Sequence, residues 1–362
     1  MTGTAMQKTI FSLMALLASG ALHTDANAQQ VSFSGRTLQL VIASEPGGGT
    51  DLVARDLGTM LTRYLPGNPE VVYRNIGGGG GIKALNYFAA STKPDGRWLV
   101  ASSATSIDPQ AMRSSSVKYD PRKFIMFGGL TQPGSALLVR KDAVARLNDK
   151  SAPPVIFGDR TGVGASGQMA VWGPEFLGWN LRWVVGYAGA GGMNLALMRG
   201  EIHALSLGTM AQLKPLLDSG DYEVPWQTGV FKGGKFIPHP AMPPAPVLSD
   251  VLKPRLTGIA REAYEDWEAL VQIGKWYALP EGTPTPIVNA YRAAWEKAIA
   301  DPAFDAGVKL KFSDHYTTVN GDEMAKTVAR VTATTDESLD YTNQLRIKVG
   351  VPLATAKPPA ER

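Results

Sequence analysis

Short apolar strands run into glycine-dense turns and then into helices, over and over, and this alternation leaves few folds open to the chain. Residues 38–43 predict a strand, Glu45-Pro46-Gly47-Gly48-Gly49-Thr50 a turn, and 51–65 a helix whose apolar face is Val53, Leu57, Met60, Leu61 and Tyr64, with Thr50 or Asp51 as its cap. The pattern repeats with a strand at 71–73, a glycine run at 76–81, a helix at 82–90 and a strand at 98–101 ending in Ser102-Ser103-Ala104-Thr105. A second series follows the strand at 136–140: a strand at 155–157, a loop at 161–167, a helix at 168–177, a strand at 182–187, a glycine loop at 189–192, a helix at 193–198 and a strand at 202–207. Alternating β and α elements predict largely parallel sheets with ligand loops at the carboxyl ends of their strands.

At 362 residues the chain is long enough for two domains. Residues 225–258, rich in proline, read as an excursion outside either sheet, and of the two roles open to it, a surface flap is preferred over a cover on the cleft. The apolar segment 272–279 predicts a strand returning the chain to the first series; a helix to Ile299 and one long terminal helix over 322–347 follow.

Hydrophobic residues make up 44% and charged residues 19%, so a folded, soluble protein with real cores is expected. Net charge is only +4 and the basic residues are scattered, which argues against nucleic acid as a partner. Glycine (39) and proline (25) exceed their usual combined share of about 12%, which places an unusual part of the design in loops. The eight tryptophans, among them Trp172, Trp179, Trp183 and Trp226, read as core.

Residues 1–28 have the make-up of a secretory signal: Lys8, an apolar stretch from Ile10 to Leu22 too short to span a bilayer, and Ala26-Asn27-Ala28 as the cleavage site. The chain has no cysteine, hence no disulfide and no lipid-bearing thiol, and the mature protein is expected free in a Gram-negative periplasm.

The strongest local chemical signal is Pro46 to Thr50, where consecutive glycines admit a ligand to backbone N–H groups at a helix start, a setting that favours an anion. The dinucleotide fingerprint is absent, because Leu52 and Ile82 stand where its third glycine belongs, and there is no Gly-Lys-Ser/Thr phosphate loop; no cofactor is expected. Gly164-Ala165-Ser166-Gly167-Gln168 misses the nucleophile elbow by one position, and His203, His239 and His315 lie in no catalytic motif. No metal-binding pattern occurs. The rival to a binding protein is a periplasmic hydrolase or lyase acting on a small organic acid, with Ser166 and a distant histidine.

Taken in order, these segments resemble the periplasmic substrate-binding proteins of tripartite tricarboxylate transporters, the Bug family. The likeness rests on Leu40 to Ala43 leading into Pro46 to Arg55; on Arg74-Asn75 with Gly77 to Gly81; on Lys93-Pro94-Asp95-Gly96; on Gly162-x-Gly164-Ala165-Ser166-Gly167; on Tyr187-x-Gly189 followed by Leu197 to Ile202; and on Gly282-Thr283-Pro284 with Ala300-Asp301-Pro302. It covers nearly the whole mature chain. It implies an α/β, two-lobed periplasmic binding protein type II fold, two sheets hinged by two crossing strands, with residues 29–135 and 275–362 in lobe 1 and 136–274 in lobe 2. It implies a non-enzymatic monomer that closes on a small organic carboxylate and delivers it to the permease subunits of a membrane transporter. The grip expected is Pro46, Gly47, Gly48, Gly49, Thr50, Ser102, Ser103, Ala104 and Thr105 from the first lobe, with Gly164, Ala165, Ser166, Gly167, Tyr187 and Gly189 from the second. Three positions depart from the family: Ser44-Glu45 replaces the aromatic before the first proline, Ala188 the lysine after the tyrosine, and Leu207 an acidic residue. A carboxylate at Glu45 repels an anionic ligand unless turned to solvent.

Overall fold

The computed structural model of the chain describes residues 31–131, 134–162, 167–232 and 235–351. The export segment 1–28 and its cleavage site lie outside the described residues. In chain order the elements are β1 (Thr37–Ile42), α1 (Gly49–Tyr64), β2 (Glu70–Asn75), α2 (Ile82–Ser91), β3 (Trp98–Ser103), α3 (Pro109–Met112), β4 (Ile125–Thr131), β5 (Ala136–Arg140), α4 (Lys141–Val144), β6 (Val155–Asp159), α5 (Met169–Phe176), β7 (Leu181–Val185), α6 (Ala190–Arg199) and β8 (Ala204–Leu207). They continue with α7 (Met210–Asp218), β9 (Tyr222–Gln227), the β10 (Val230–Lys232) and β11 (Lys235–Ile237) hairpin, α8 (Leu248–Leu252), α9 (Gly258–Val271), β12 (Ile273–Leu279), α10 (Thr285–Ile299), α11 (Pro302–Lys311), β13 (Thr318–Asn320), α12 (Gly321–Thr332) and α13 (Asp336–Lys348).

The strands form two main sheets ordered β13-β4-β12-β3-β1-β2 and β7-β6-β8-β5-β9. Within each, the helix-connected strands pair in parallel: β1 with β2 and β3, β6 with β7 and β8. In the first sheet β12 runs antiparallel to β3 and β4, and in the second β5 runs antiparallel to β8 and β9. These are the strands by which the chain enters a sheet from the other one, so the order second-first-third-crossing-fourth occurs twice. This is the two-sheet, twice-crossed arrangement expected.

Strand composition follows from position. β12 lies between β3 and β4 and is buried along its whole length, as a central strand covered on both faces must be. Helix α1 buries Val53, Leu57, Met60 and Leu61, while Tyr64 is half-buried and its hydroxyl donates to Asp301 at 2.8 Å. Trp172, Trp179 and Trp183 are buried in the core, and Trp226 is half-buried.

Three expectations change. Helix α1 starts at Gly49 with Gly48 as its cap; neither Thr50 nor Asp51 caps it, because Asp51 instead reaches back to the amide of Gly47 at 2.9 Å. The terminal helix is two helices, since the chain leaves the helix at Ala333 and the Thr335 hydroxyl caps α13 by accepting from Ser338 N at 3.1 Å. The segment 225–258 is no flap: Gln227 still belongs to β9 in the second sheet, and Val247, Leu248, Leu252 and Leu256 are buried in the core. Helix α13 packs against α9 and α5, with the Tyr341 ring 6.3 Å from that of Trp172.

Candidate functional site

Where a parallel strand ends and a helix begins, the first turn leaves N–H groups without partners, and the helix dipole adds to their positive end. Two such starts, α1 after β1 and α6 after β7, open on one cavity of about 730 Å³. Its wall is formed by residues 44–50 and 103–105 on the first-sheet side, 159–160, 188–194 and 206–209 on the second, and Lys275 of the crossing strand β12.

Pro46 has no N–H to give. Gly47 donates to Asp51 Oδ2 at 2.9 Å and Gly48 to the carbonyl of Glu45 at 3.1 Å. Of the amides of Gly47, Gly48, Gly49 and Thr50, those of Gly49 and Thr50 have no hydrogen-bond partner among the described residues. Gly47 holds the turn open with φ of +75°, a conformation natural to glycine. Asp51 is buried, and burial alone raises its pKa. Hydrogen bonds from Arg55, Asn75 and the Gly47 amide outweigh that cost and hold its carboxyl below the usual range. On the other side Met193 N bonds back to the carbonyl of the cap Gly189 at 3.2 Å, and the amides of residues 190–192 likewise have no partner among the described residues.

Ser103, Ala104 and Thr105 line the cavity with Gly189, whereas Ser102 lies behind it, its hydroxyl bonded to that of Ser106 at 2.7 Å. Tyr187 does not line the cavity but packs beside Gly158 on the apolar cluster beneath. Gly167 sits against the Asp159 carboxylate, and Gly164, Ala165 and Ser166 lie outside the described residues. Glu45 is exposed at the rim with its carboxylate packed on Gly77, turned toward the β2–α2 connection.

Several lining residues were not singled out in the sequence. Ser206 Oγ and Asn194 Oδ1 are buried there without hydrogen-bond partners among the described residues. Gln212 Nε2 donates to the carbonyl of Gly47 at 3.4 Å, joining α7 to the first loop. Arg160 donates to Thr105 Oγ1 at 3.4 Å. Lys275 is buried, and desolvation, aided by the nearby Arg160 charge, pushes its pKa down to about 7. Asp159 is pushed upward by burial, against the pull of Arg160 and of the Thr161 and Gly162 amides, each donating at 3.0 Å. Lys275 carried the only readable signal of these, as a cation inside an otherwise apolar strand.

None of His203, His239 and His315 lines the cavity. His239 bonds the Ser313 hydroxyl at 3.2 Å and stands 5.0 Å from the His315 ring, away from the site. Among the described residues no three His, Asp or Glu side chains are grouped as a metal ion requires, and no helix is long and apolar enough to cross a membrane.

Comparison with protein-family models gives no match, nor does comparison with curated protein sequences. Solved structures do match. The periplasmic binding protein BugD aligns at a TM-score of 0.64 with 20% identity, over 88% of this chain and 98% of its own. The Rhodopseudomonas palustris protein MatC with bound malate gives 0.62 and 18%, over 86% and 99%. A second R. palustris protein, determined with adipate, gives 0.64 and 18%, over 86% and 97%. At such identity the likeness is one of fold. With the doubled strand order, it gives the described residues the two-sheet α/β fold of the periplasmic binding proteins.

Proposed function

We propose that the protein is a non-catalytic solute-binding protein of the Bug type that captures a small organic carboxylate. The observation that carries this reading is the pair of helix starts, α1 and α6, which bring the partnerless amides of Gly49, Thr50 and residues 190–192 to one cavity from two different sheets. An anion between them takes hydrogen bonds from both sides and favours the closed form over the open one. Arg160 and Lys275 add positive charge, and Glu45 is turned away. Two proteins of this fold are determined with malate and with adipate, both small organic acids.

On this reading the jaws are residues 29–135 with 275–362, and 136–274. The chain is exported, cleaved near Ala28, and works as a periplasmic monomer that hands its ligand to membrane permease subunits. A serine hydrolase is disfavoured because, among the described residues, none of His203, His239 and His315 lines the cavity as a base.

A thermal-shift panel of organic acids, including malate and adipate, against their uncharged amides tests the reading. Acids are expected to raise the melting temperature without turnover. Stabilisation by uncharged compounds alone contradicts it.

A further inference from the structure

Strand β12 is buried at every position, and Lys275 is the one charged residue in it. Lys275 is among the residues that line the cavity and is 6% exposed. The sole hydrogen bond of its ammonium among the described residues is a 3.4 Å contact to the carbonyl of its own neighbour Gly274, and its other close neighbour is the face of Phe312, 4.7 Å from the ring centroid. No carboxylate within 4.0 Å forms an ion pair with it among the described residues. The charge acting on it is that of Arg160, of the same sign.

A buried ammonium without a counter-charge is costly, and at this position an unbranched apolar side chain would pack on Phe312 without that cost. A ring face offsets a small part of it. What the protein withholds, a ligand in the adjoining cavity can supply. Resting on the carboxylate reading above, we propose that Lys275 is the residue that reads the ligand's charge: its ammonium pairs with an ionised oxygen of the bound acid and makes the site select acids over their amides and esters. The helix starts donate to the ligand's oxygens and position it, and Lys275 adds to their preference for an anion an ion pair that an amide or ester cannot make.

Calorimetric titration of the full-length mature protein and of Lys275→Met and Lys275→Gln tests this, with malate, adipate and the corresponding diamides as probes. Loss of a buried charge-assisted contact predicts at least about thirtyfold weaker acid binding in both variants, unchanged diamide binding, and an empty-state melting temperature equal to or above that of wild type. Acid affinity preserved in the variants overturns the inference and leaves the carboxylate reading standing. Equal loss for acids and diamides, or a melting temperature lowered in both variants, marks Lys275 as structural and overturns the inference too. Acids that bind no form of the protein overturn the carboxylate reading, and this inference with it.

Discussion

Thr209 Oγ1 lies 2.6 Å from the point that a Cβ on Gly49 would occupy, so the first helix start and the cap of α7 touch across the cavity with no room for a methyl group. The backbone of Gly49 tolerates any residue, and the constraint is contact alone. Gly49→Ala is therefore expected to wedge the two sides apart and weaken acid binding at least about tenfold, with under about 1 kcal/mol lost in stability. Adding Thr209→Ala removes the obstructing hydroxyl and is expected to restore most of the affinity. A double-mutant cycle by calorimetry checks this; additive losses would refute the contact. Gly48 is the poorer probe, because a side chain there meets Ser44 Oγ within the turn itself.

Asp51 accepts from Gly47 N, Asn75 Nδ2 and Arg55, each at 2.9 Å, and so keeps the first loop in shape. Asp51→Asn puts a donor against donors and is expected to cost about 2–3 kcal/mol in urea unfolding. Because the carboxyl is held below its ordinary value, its stabilising share is full at neutral pH and lost only as pH falls below about 3.8 toward the lowered pKa. Wild type and variant should thus converge in strong acid.

The extent of sequence legibility follows the same physics. Strand–turn–helix units announce themselves through local periodicity, so both parallel series, the α1 face and the crossing strand β12 were readable in advance. The break at Ala333 was not, because the apolar spacing continues through it while one threonine hydroxyl decides the new start. Nor was the pairing of β9 with β5, since Pro225 reads as a breaker although this edge strand accommodates it. At the site, glycine marked where backbone is exposed but not which amides are already committed. That depends on Asp51 and the Glu45 carbonyl. Arg160, Ser206 and Asn194 gave no local sign, because only the tertiary fold brings them to the cavity.

Lys275 titrates near 7 in the folded protein against 10.5 unfolded. Between those values the unfolded chain holds the extra proton, so this group makes the empty protein more stable as pH rises from about 7 to about 10. Lys275→Met is accordingly expected to exceed wild type in stability by about 2–4 kcal/mol at pH 6, with the gap closing by pH 10. Urea midpoints at the two pH values decide it; a constant gap would show that the amine is not desolvated.

His239 is held down to about 4 by burial, with the His315 ring adding to the shift and Asp314 opposing it. The unfolded chain takes up this proton first, so stability falls as pH drops from about 6.5 toward 4. His239→Gln is expected to remove about 2 kcal/mol of the loss between pH 7 and pH 5. Unchanged acid sensitivity in the variant would assign that loss to other groups.

The most direct test of the central claim is a crystal structure of the protein with an organic acid that raises its melting temperature. The account predicts carboxylate oxygens about 3 Å from the amides of Gly49 and Thr50 on one side and of residues 190–192 on the other. An acid seated away from both helix starts would contradict it.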